Sequence, residues 1–204
     1  MTRVLAYLDG FNLYHGIRLK TGRRFLWLDV DALCRQILRP GNTLQAVKYF
    51  TTRVRDKHSS RHRQDAYLQA LATHCPTVSV IEGRFQKQVR RCRACQLQWS
   101  TFEEKETDVN IAIALVEDAV LDRFDKAFLV SGDTDLVPAI RAVKRLCPEK
   151  RVVAVFPPAR VSDPLRAAAD AVYYLGEDKL RRAQLPAEVV TPEGIKLTRP
   201  AYWR

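Results

Sequence analysis

The sequence contains no apolar run that approaches the ~20 residues needed by a membrane-spanning helix. Its N-terminal apolar segment, VLAYL, is followed at once by Asp9 and is too short for the hydrophobic part of a secretory signal. Cysteines are scarce as well: there are five, an odd number, at uneven spacing. This pattern favours reduced thiols over a disulfide framework. We therefore expect a cytoplasmic protein with no membrane partner.

Acidic residues are few relative to basic ones. The 204 residues include 34 Lys and Arg but only 23 Asp and Glu, which gives a net charge of +11. The excess is clustered in two blocks in which arginine predominates, and the planar guanidinium group suits phosphate. We expect a polyanionic partner such as nucleic acid, and two solvated faces are the alternative. The residues expected to contact the nucleic acid are Arg53, Arg55, Lys57, Arg61, Arg84, Lys87, Arg90, Arg91 and Arg93.

Apolar segments of strand length alternate with segments of helical periodicity. This alternation predicts a three-layer α/β/α fold with a mostly parallel central sheet of about five or six strands. The expected strands are 3–8, 46–54, 77–85, 127–130, 151–156 and 171–175, and the expected helices are 27–38, 61–74, 107–121, one ending near 147, and 163–169. We expect one domain over residues 1–180, followed by an irregular C-terminal arm over 181–204.

Residues 86–105 look like a basic insertion. Cys92 and Cys95 form a CxxC pair, which is half of a zinc site, and Cys75 is a distant candidate for a further ligand. A flexible basic loop with two free thiols is the alternative to structural zinc. Trp99 and Phe102 are expected to be exposed, and aromatic residues among basic ones suit single-stranded nucleic acid.

Carboxylates follow the predicted strands at the ends where ligands bind in open α/β sheets. Asp9 follows the first strand, Asp133 and Asp135 follow strand 127–130, and Asp108 opens a largely apolar helix. In an extended segment, Asp133 and Asp135 would face the same point. The alternative is structural: Asp133 caps the next helix, and Asp108 and Asp135 interact favourably with the positive ends of helix dipoles. Asn12 is a candidate either for a helix cap, as Thr107 is, or for orienting a water molecule.

Four carboxylates that meet in one crevice repel one another unless a cation lies between them. Their hard oxygen ligands favour Mg²⁺ or Mn²⁺. Such an ion lowers the pKa of a bound water molecule and stabilises charge on a leaving oxygen. Together with a basic rim, this arrangement predicts metal-dependent hydrolysis of phosphodiester bonds.

Three sequence blocks resemble the signature blocks of NYN-domain proteins of the LabA-like group, which share the PIN-like nuclease fold. The blocks are YLDGFNLYHG, EKETDVNIAIAL and LVSGDTDLVPAI. The resemblance implies a metal-dependent ribonuclease, in which Asp9, Asp108, Asp133 and Asp135 are metal-binding and catalytic and Asn12 accompanies them.

Two other functions remain open. A phosphohydrolase of the haloacid-dehalogenase type also begins with a strand ending in Asp, but it requires a second acid where this sequence has Phe11. A nucleic-acid-binding or regulatory module with weak turnover would use the same residues without catalysis. The sequence also leaves the formation of a homodimer open.

Overall fold

The computed structural model describes residues 1–54 and 58–203, except for the side chains of residues 58, 87, 88 and 100–104. The strands are β1 (Thr2–Asp9), β2 (Asn42–Thr51), β3 (Val78–Glu82), β4 (Arg84–Arg91), β5 (Gln98–Lys105), β6 (Lys126–Val130), β7 (Arg151–Phe156), β8 (Ala171–Tyr174), β9 (Glu188–Val190) and β10 (Lys196–Thr198). The helices are α1 (Gly10–Thr21), α2 (Val30–Arg35), α3 (His58–His74), α4 (Thr107–Val120), α5 (Val137–Leu146), α6 (Asp163–Ala168) and α7 (Glu177–Arg182). Short 3₁₀ turns span Thr134–Leu136 and Ala201–Trp203.

Six strands form a parallel central sheet in the order β3-β2-β1-β6-β7-β8. β1 lies inside the sheet, and its side chains alternate between two hydrophobic cores. Val4, Ala6 and Leu8 enter one core, whereas Leu5 and Tyr7 enter the other. A strand buried on both faces is apolar throughout, which is the pattern of its sequence. The predicted three-layer α/β/α fold is confirmed.

Helix α1 directly follows β1 and was not predicted from the sequence. Gly10 and Gly16 weaken its helical signal, because glycine is a poor helix former. Both glycines are required by packing: a Cβ on Gly10 would lie 2.7 Å from the carbonyl oxygen of Phe50, and one on Gly16 would lie 2.5 Å from that of Pro158. Tertiary contacts therefore override the local propensity at this helix.

The basic insertion is an antiparallel hairpin of β4 and β5, in register from Arg84 with Lys105 to Arg91 with Gln98. The expectation of a flexible loop was wrong, and so was the extension of the third strand to Phe85. Strand β3 of the central sheet ends at Glu82. Gly83 then passes so close to Lys105 that a Cβ on Gly83 would lie 2.7 Å from the carbonyl oxygen of Lys105. The hairpin is thus joined tightly to the edge of the domain.

The C-terminal segment is not the irregular arm that was expected. It contains α7 and an antiparallel pair of β9 and β10. Leu185, Val189, Leu197 and Trp203 are buried in the same core as Trp27. The indole N–H of Trp27 also donates to the carbonyl oxygen of Pro186 over 2.7 Å. Residues beyond 180 thus complete one of the two cores.

Among the described helices, none combines the length and the apolar character that a membrane crossing requires.

Candidate active site

Asp9 is the last residue of β1 and the N-cap of α1. Its side chain is buried, and Oδ1 accepts the backbone N–H of Asn12 over 2.9 Å. The expectation that Asn12 caps a helix was therefore wrong, because Asp9 occupies that position. Capping fixes one oxygen of the carboxylate at the carboxyl end of the strand.

Ser131, at the carboxyl end of β6, connects two of the predicted acids. Its hydroxyl donates to Oδ2 of Asp9 over 2.9 Å and accepts the backbone N–H of Asp133 over 3.0 Å. Next to it, the backbone N–H of Gly132 donates to Oδ1 of Asn12 over 3.0 Å. These contacts connect the carboxyl ends of the adjacent parallel strands β1 and β6.

Asp133 has the structural role that was considered as the alternative. It caps the 3₁₀ turn Thr134–Leu136, and its Oδ1 accepts the backbone N–H of Asp135 over 2.9 Å. Because the chain turns here, the extended geometry expected to align Asp133 with Asp135 is absent. The side chain of Asp135 is exposed. Capping uses one oxygen of Asp133 and leaves its second oxygen available for other contacts.

Asp108 lies in the first turn of α4. The N-cap of this helix is Glu106 in the left-handed conformation, so the prediction that Thr107 caps it was wrong. The pKa of Asp108 is raised to about 6, first by burial and then by the negative charges of Asp9, Asp133 and Asp135. The four acids predicted from the sequence therefore share one electrostatic environment.

The acidic cleft has a volume of about 170 Å³ and is lined by Asp9, Phe11, Asn12, His15, Thr107, Asp108, Asp133 and Arg160. Its oxygen donors suit Mg²⁺ or Mn²⁺, and the pKa of Asp108 is raised first by burial and then by negative charge that a cation would neutralise. In the described part of the chain, no three His, Cys, Asp or Glu side chains are arranged to hold a metal ion. The donor chemistry thus fits a divalent cation, whereas a ready-made ligand set is not present.

Sequence reasoning missed two residues of the acidic cleft, His15 and Arg160. His15 lies one helical turn after Asn12, and Arg160 follows β7, the next parallel strand after β6. Both residues could have been predicted from the sequence. Residues i and i+3 of a helix lie on the same face, and neighbouring parallel strands end at the same edge of the sheet. Partial burial lowers the pKa of His15, and the charges of Arg160 and Arg18 lower it further. His15 is therefore neutral at physiological pH.

Three of the predicted RNA-contacting residues, Arg53, Arg61 and Arg84, line one basic groove of about 530 Å³. Arg53 is paired with Asp65 at 2.6 Å and with Glu82 at 2.8 Å, so its charge is largely compensated. Arg84 is similarly paired with Glu106 at 2.6 Å. The sequence could not reveal these acidic partners, because Asp65 and Glu82 are 12 and 29 positions from Arg53.

The remaining predicted RNA contacts are distributed differently. Arg90, Arg91 and Arg93 are exposed along the hairpin and its turn. Arg55 and Lys57 lie outside the described residues, as does the side chain of Lys87.

The CxxC pair lies in the hairpin turn, where the backbone N–H of Gln96 donates to the carbonyl of Cys92 over 2.9 Å. Hydrogen bonds from the backbone and side chain of Cys95 lower the pKa of the Cys92 thiol. Cys75 is not a further ligand: it is buried in the core, and its thiol donates to Asp29 over 3.3 Å. All five cysteines lie within the described residues and are free thiols, as expected. Trp99 is exposed as predicted, while the side chain of Phe102 lies outside the described part.

The fold and the cleft define an α/β protein with clustered carboxylates at the carboxyl ends of parallel strands. The chain belongs to the NYN domain family, whose model matches residues 3–176. The family resemblance carried by the three sequence blocks is thereby confirmed. NYN domains are generally nucleases.

Two similar proteins place this family assignment in context. The chain is 27% identical over 179 residues to a 6-hydroxy-3-succinoylpyridine 3-monooxygenase of Pseudomonas putida, covering 70% of this chain and 55% of that protein. It therefore spans little more than half the length of that curated relative. The fold is also similar to the crystal structure of a protein of unknown function from Vibrio parahaemolyticus, with a TM-score of 0.59, 17% identity, and coverage of 87% of this chain and 94% of the other.

Proposed function

We propose that the protein is a metal-dependent ribonuclease that hydrolyses phosphodiester bonds of single-stranded RNA. The observation that carries the proposal is that Asp9, Asp108 and Asp133, from three separate segments, line one cleft, where burial and the neighbouring acids raise the pKa of Asp108. Four acids contributed by three separate segments are costly to hold together unless a cation binds them. Membership of a family whose domains are generally nucleases supports the same function.

In this proposal Asp9, Asp108, Asp133 and Asp135 hold Mg²⁺ or Mn²⁺. When bound by these residues, such an ion would activate a water molecule for attack on the phosphorus and would stabilise charge on the leaving oxygen. Ser131 orients Asp9 through its 2.9 Å hydrogen bond. Asn12 is oriented by Gly132, and its NH₂ group is a donor for a phosphate oxygen.

Arg160 supplies a permanent positive charge to the acidic cleft, where it would bind the scissile phosphate. His15 is neutral at physiological pH because its pKa is lowered, so it can hydrogen-bond to the substrate without adding charge. The exposed Arg90, Arg91 and Arg93 extend the positive surface along the hairpin, where further phosphates of the RNA would bind.

The test is cleavage of end-labelled single-stranded RNA with Mn²⁺, with and without EDTA. Asp133→Asn should reduce the rate about 100-fold or more. Asp163→Asn, which changes an exposed acid on α6 that does not line the acidic cleft, should leave the rate unchanged. Cleavage that resists EDTA, or that survives in Asp133→Asn, would contradict the proposal.

The same assay separates the other functions. RNA binding without cleavage by any variant would favour a binding or regulatory module. Hydrolysis of a small phosphomonoester with RNA left intact would favour a phosphohydrolase. In that class the position of Phe11 should carry an acid, whereas here the ring of Phe11 lies 6.2 Å from that of His15 and 6.1 Å from that of Phe85.

A second candidate function is oxidation of a small heteroaromatic compound, which the name of the Pseudomonas putida relative favours. The check is oxygen consumption with 6-hydroxy-3-succinoylpyridine and a two-electron donor such as NADH. Because the chain spans 55% of that relative, we place this candidate second.

A further inference from the structure

An aromatic cavity of about 220 Å³ lies beside the acidic cleft and shares Phe11 and His15 with it. It lies between α1, α3 and the C-terminal 3₁₀ turn, and its lining is mostly apolar. Tyr14, Tyr49, Tyr67 and Trp203 contribute the aromatic part of that lining. A small, mostly apolar cavity with several aromatic side chains in its wall suits one planar ring more than a flexible chain.

The rings around the aromatic cavity meet one another at tilted or edge-to-face angles. The ring of Trp203 lies 5.8 Å from that of Tyr67 at 78° and 6.3 Å from that of Tyr14 at 54°. Tyr49 and Tyr67 meet at 78° across 6.2 Å. The rings thus pack against one another as a fixed aromatic wall on one side of the cavity.

Trp203 carries a second and independent indication of a ligand. It is only 5% exposed, and its indole N–H has no hydrogen-bond partner in the described part of the chain. The indole N–H of Trp27, in the same core, is satisfied by Pro186. Leaving a buried donor unpaired costs free energy. The indole nitrogen is covered by its neighbours, so a rotation of the Trp203 ring would bring this N–H to an acceptor atom on a ligand in the cavity that the ring lines.

Two polar residues that line the aromatic cavity, Gln64 and Arg63, have different hydrogen-bond partners. Gln64 accepts the backbone N–H of Val54 and donates to the carbonyl of Thr52, so it stabilises the wall. Arg63 donates to the hydroxyl of Ser60 over 3.0 Å and lies 4.6 Å from the ring of Tyr202. Its guanidinium group therefore adds positive charge at the cavity.

We propose that the aromatic cavity binds one planar heteroaromatic ring with a hydrogen-bond acceptor, namely a base of the RNA whose backbone crosses the acidic cleft. Trp203 donates to the acceptor, and the neighbouring aromatic rings contact the faces of the base. The choice of RNA as the source of the ring rests on the proposed ribonuclease function. A free heteroaromatic compound has the same chemistry and is the other source to be tested.

The experiment is calorimetric titration of the whole protein with adenosine, cytidine, guanosine, uridine or nicotinate in EDTA. Nucleosides carry no phosphate, so neither the metal nor the acidic cleft is needed for binding. Trp203→Phe keeps an aromatic ring and removes the N–H, and should weaken binding about 3- to 10-fold. Val54→Phe fills the cavity and should weaken it more than about 10-fold. Val120→Phe, on the exposed side of α4, is the matched control and should bind normally.

Circular dichroism of each variant checks that it is folded. Binding of at least one nucleoside with the expected order of variants supports the proposal, whereas failure of all five probes overturns it. Binding of nicotinate alone overturns RNA as the source and assigns the cavity to free heteroaromatic compounds. If nucleosides bind but RNA is never cut, the ribonuclease function fails and the cavity proposal stands. If RNA is cut with the same KM by Val54→Phe, the cavity proposal fails and the ribonuclease stands.

Discussion

The hydroxyl of Ser131 lies 2.9 Å from Oδ2 of Asp9, although the two residues are 122 positions apart. The same hydroxyl accepts the backbone N–H of Asp133. A buried serine thereby joins an acid on the first strand to an acid after the sixth. The position of the Asp9 carboxylate depends on this hydroxyl as well as on its own role as a helix cap.

Ser131→Ala should therefore impair the acidic cleft while leaving its acids in place. We expect the free energy of unfolding to fall by about 1–2 kcal/mol, because Asp9 and the N–H of Asp133 each lose a buried partner. Mn²⁺-dependent cleavage should fall about 10-fold or more. Urea unfolding and the RNA assay measure these effects. Ser162→Ala is the matched control, since that buried hydroxyl caps α6 by accepting the N–H of Leu165 over 3.3 Å. Equal loss of activity in both variants would contradict a specific role for Ser131.

The raised pKa of Asp108 indicates how the stability of the metal-free protein depends on pH. Its pKa is about 6 in the folded chain, whereas an ordinary aspartate in the unfolded chain has a pKa of about 4. Between these values the folded state binds the proton more tightly, so stability falls as pH rises through this range. At about pH 7.5 in EDTA, Asp108→Asn should raise the free energy of unfolding by about 1–3 kcal/mol.

Below about pH 4 the difference between wild type and Asp108→Asn should vanish, because the carboxyl is then protonated in both states. Glu149→Gln removes one exposed acid elsewhere and should change stability by less than about 0.5 kcal/mol. Chemical unfolding across this pH range is the measurement. An Asn variant that is less stable than wild type at neutral pH would mean that the Asp108 charge is already compensated.

Asp118 is a buried acid whose charge is neutralised within the protein. Its carboxylate accepts from Lys48 at 2.5 Å, from Tyr7 at 2.6 Å and from Arg123 at 2.8 Å. Burial alone would raise the pKa of Asp118, but these hydrogen bonds outweigh burial and lower it. Lys48→Met should therefore lower the free energy of unfolding by about 2–4 kcal/mol at neutral pH.

The cost of Lys48→Met should diminish as pH falls below the ordinary pKa of aspartate, because Asp118 becomes protonated and no longer needs a cation. Lys126→Met, at a lysine of β6 outside this network, is the comparison variant. Urea unfolding at neutral and acidic pH checks the expectation. A cost that stays constant with pH would indicate lost packing of the lysine stem instead.

The exposed arginines of the hairpin should contribute to RNA affinity through counterion release. Replacing Arg90, Arg91 and Arg93 together with Gln should weaken binding and reduce the slope of log K against log salt by about 2. Fluorescence anisotropy with labelled RNA at several salt concentrations measures both. Arg53→Gln is the control, since Asp65 and Glu82 already pair with that side chain and its loss should change the slope less. An unchanged slope in the triple variant would remove the hairpin from the RNA-binding surface.

Much of the fold follows from local patterns. The strand 151–156 was predicted with its observed limits, and the strands around Ala127 and Ala171 within one residue. Apolar runs of strand length that alternate with helices leave few alternatives to a parallel sheet. Helix α1 escaped prediction because Gly10 is required by the close approach of Phe50 on β2 and Gly16 by that of Pro158 after β7, two contacts with distant parts of the chain.

The sequence by itself determined that acids follow parallel strands, and the carboxyl ends of parallel strands lie at one edge of a sheet because the strands run in the same direction. It could not determine that Ser131 joins two of those acids, or that Asp133 caps the 3₁₀ turn that contains Asp135. Nor could it place Trp203, the last described residue, in the wall of a cavity beside the first helix. Such contacts join residues that are distant in the chain, and only the packing of layers and loops decides which of them meet.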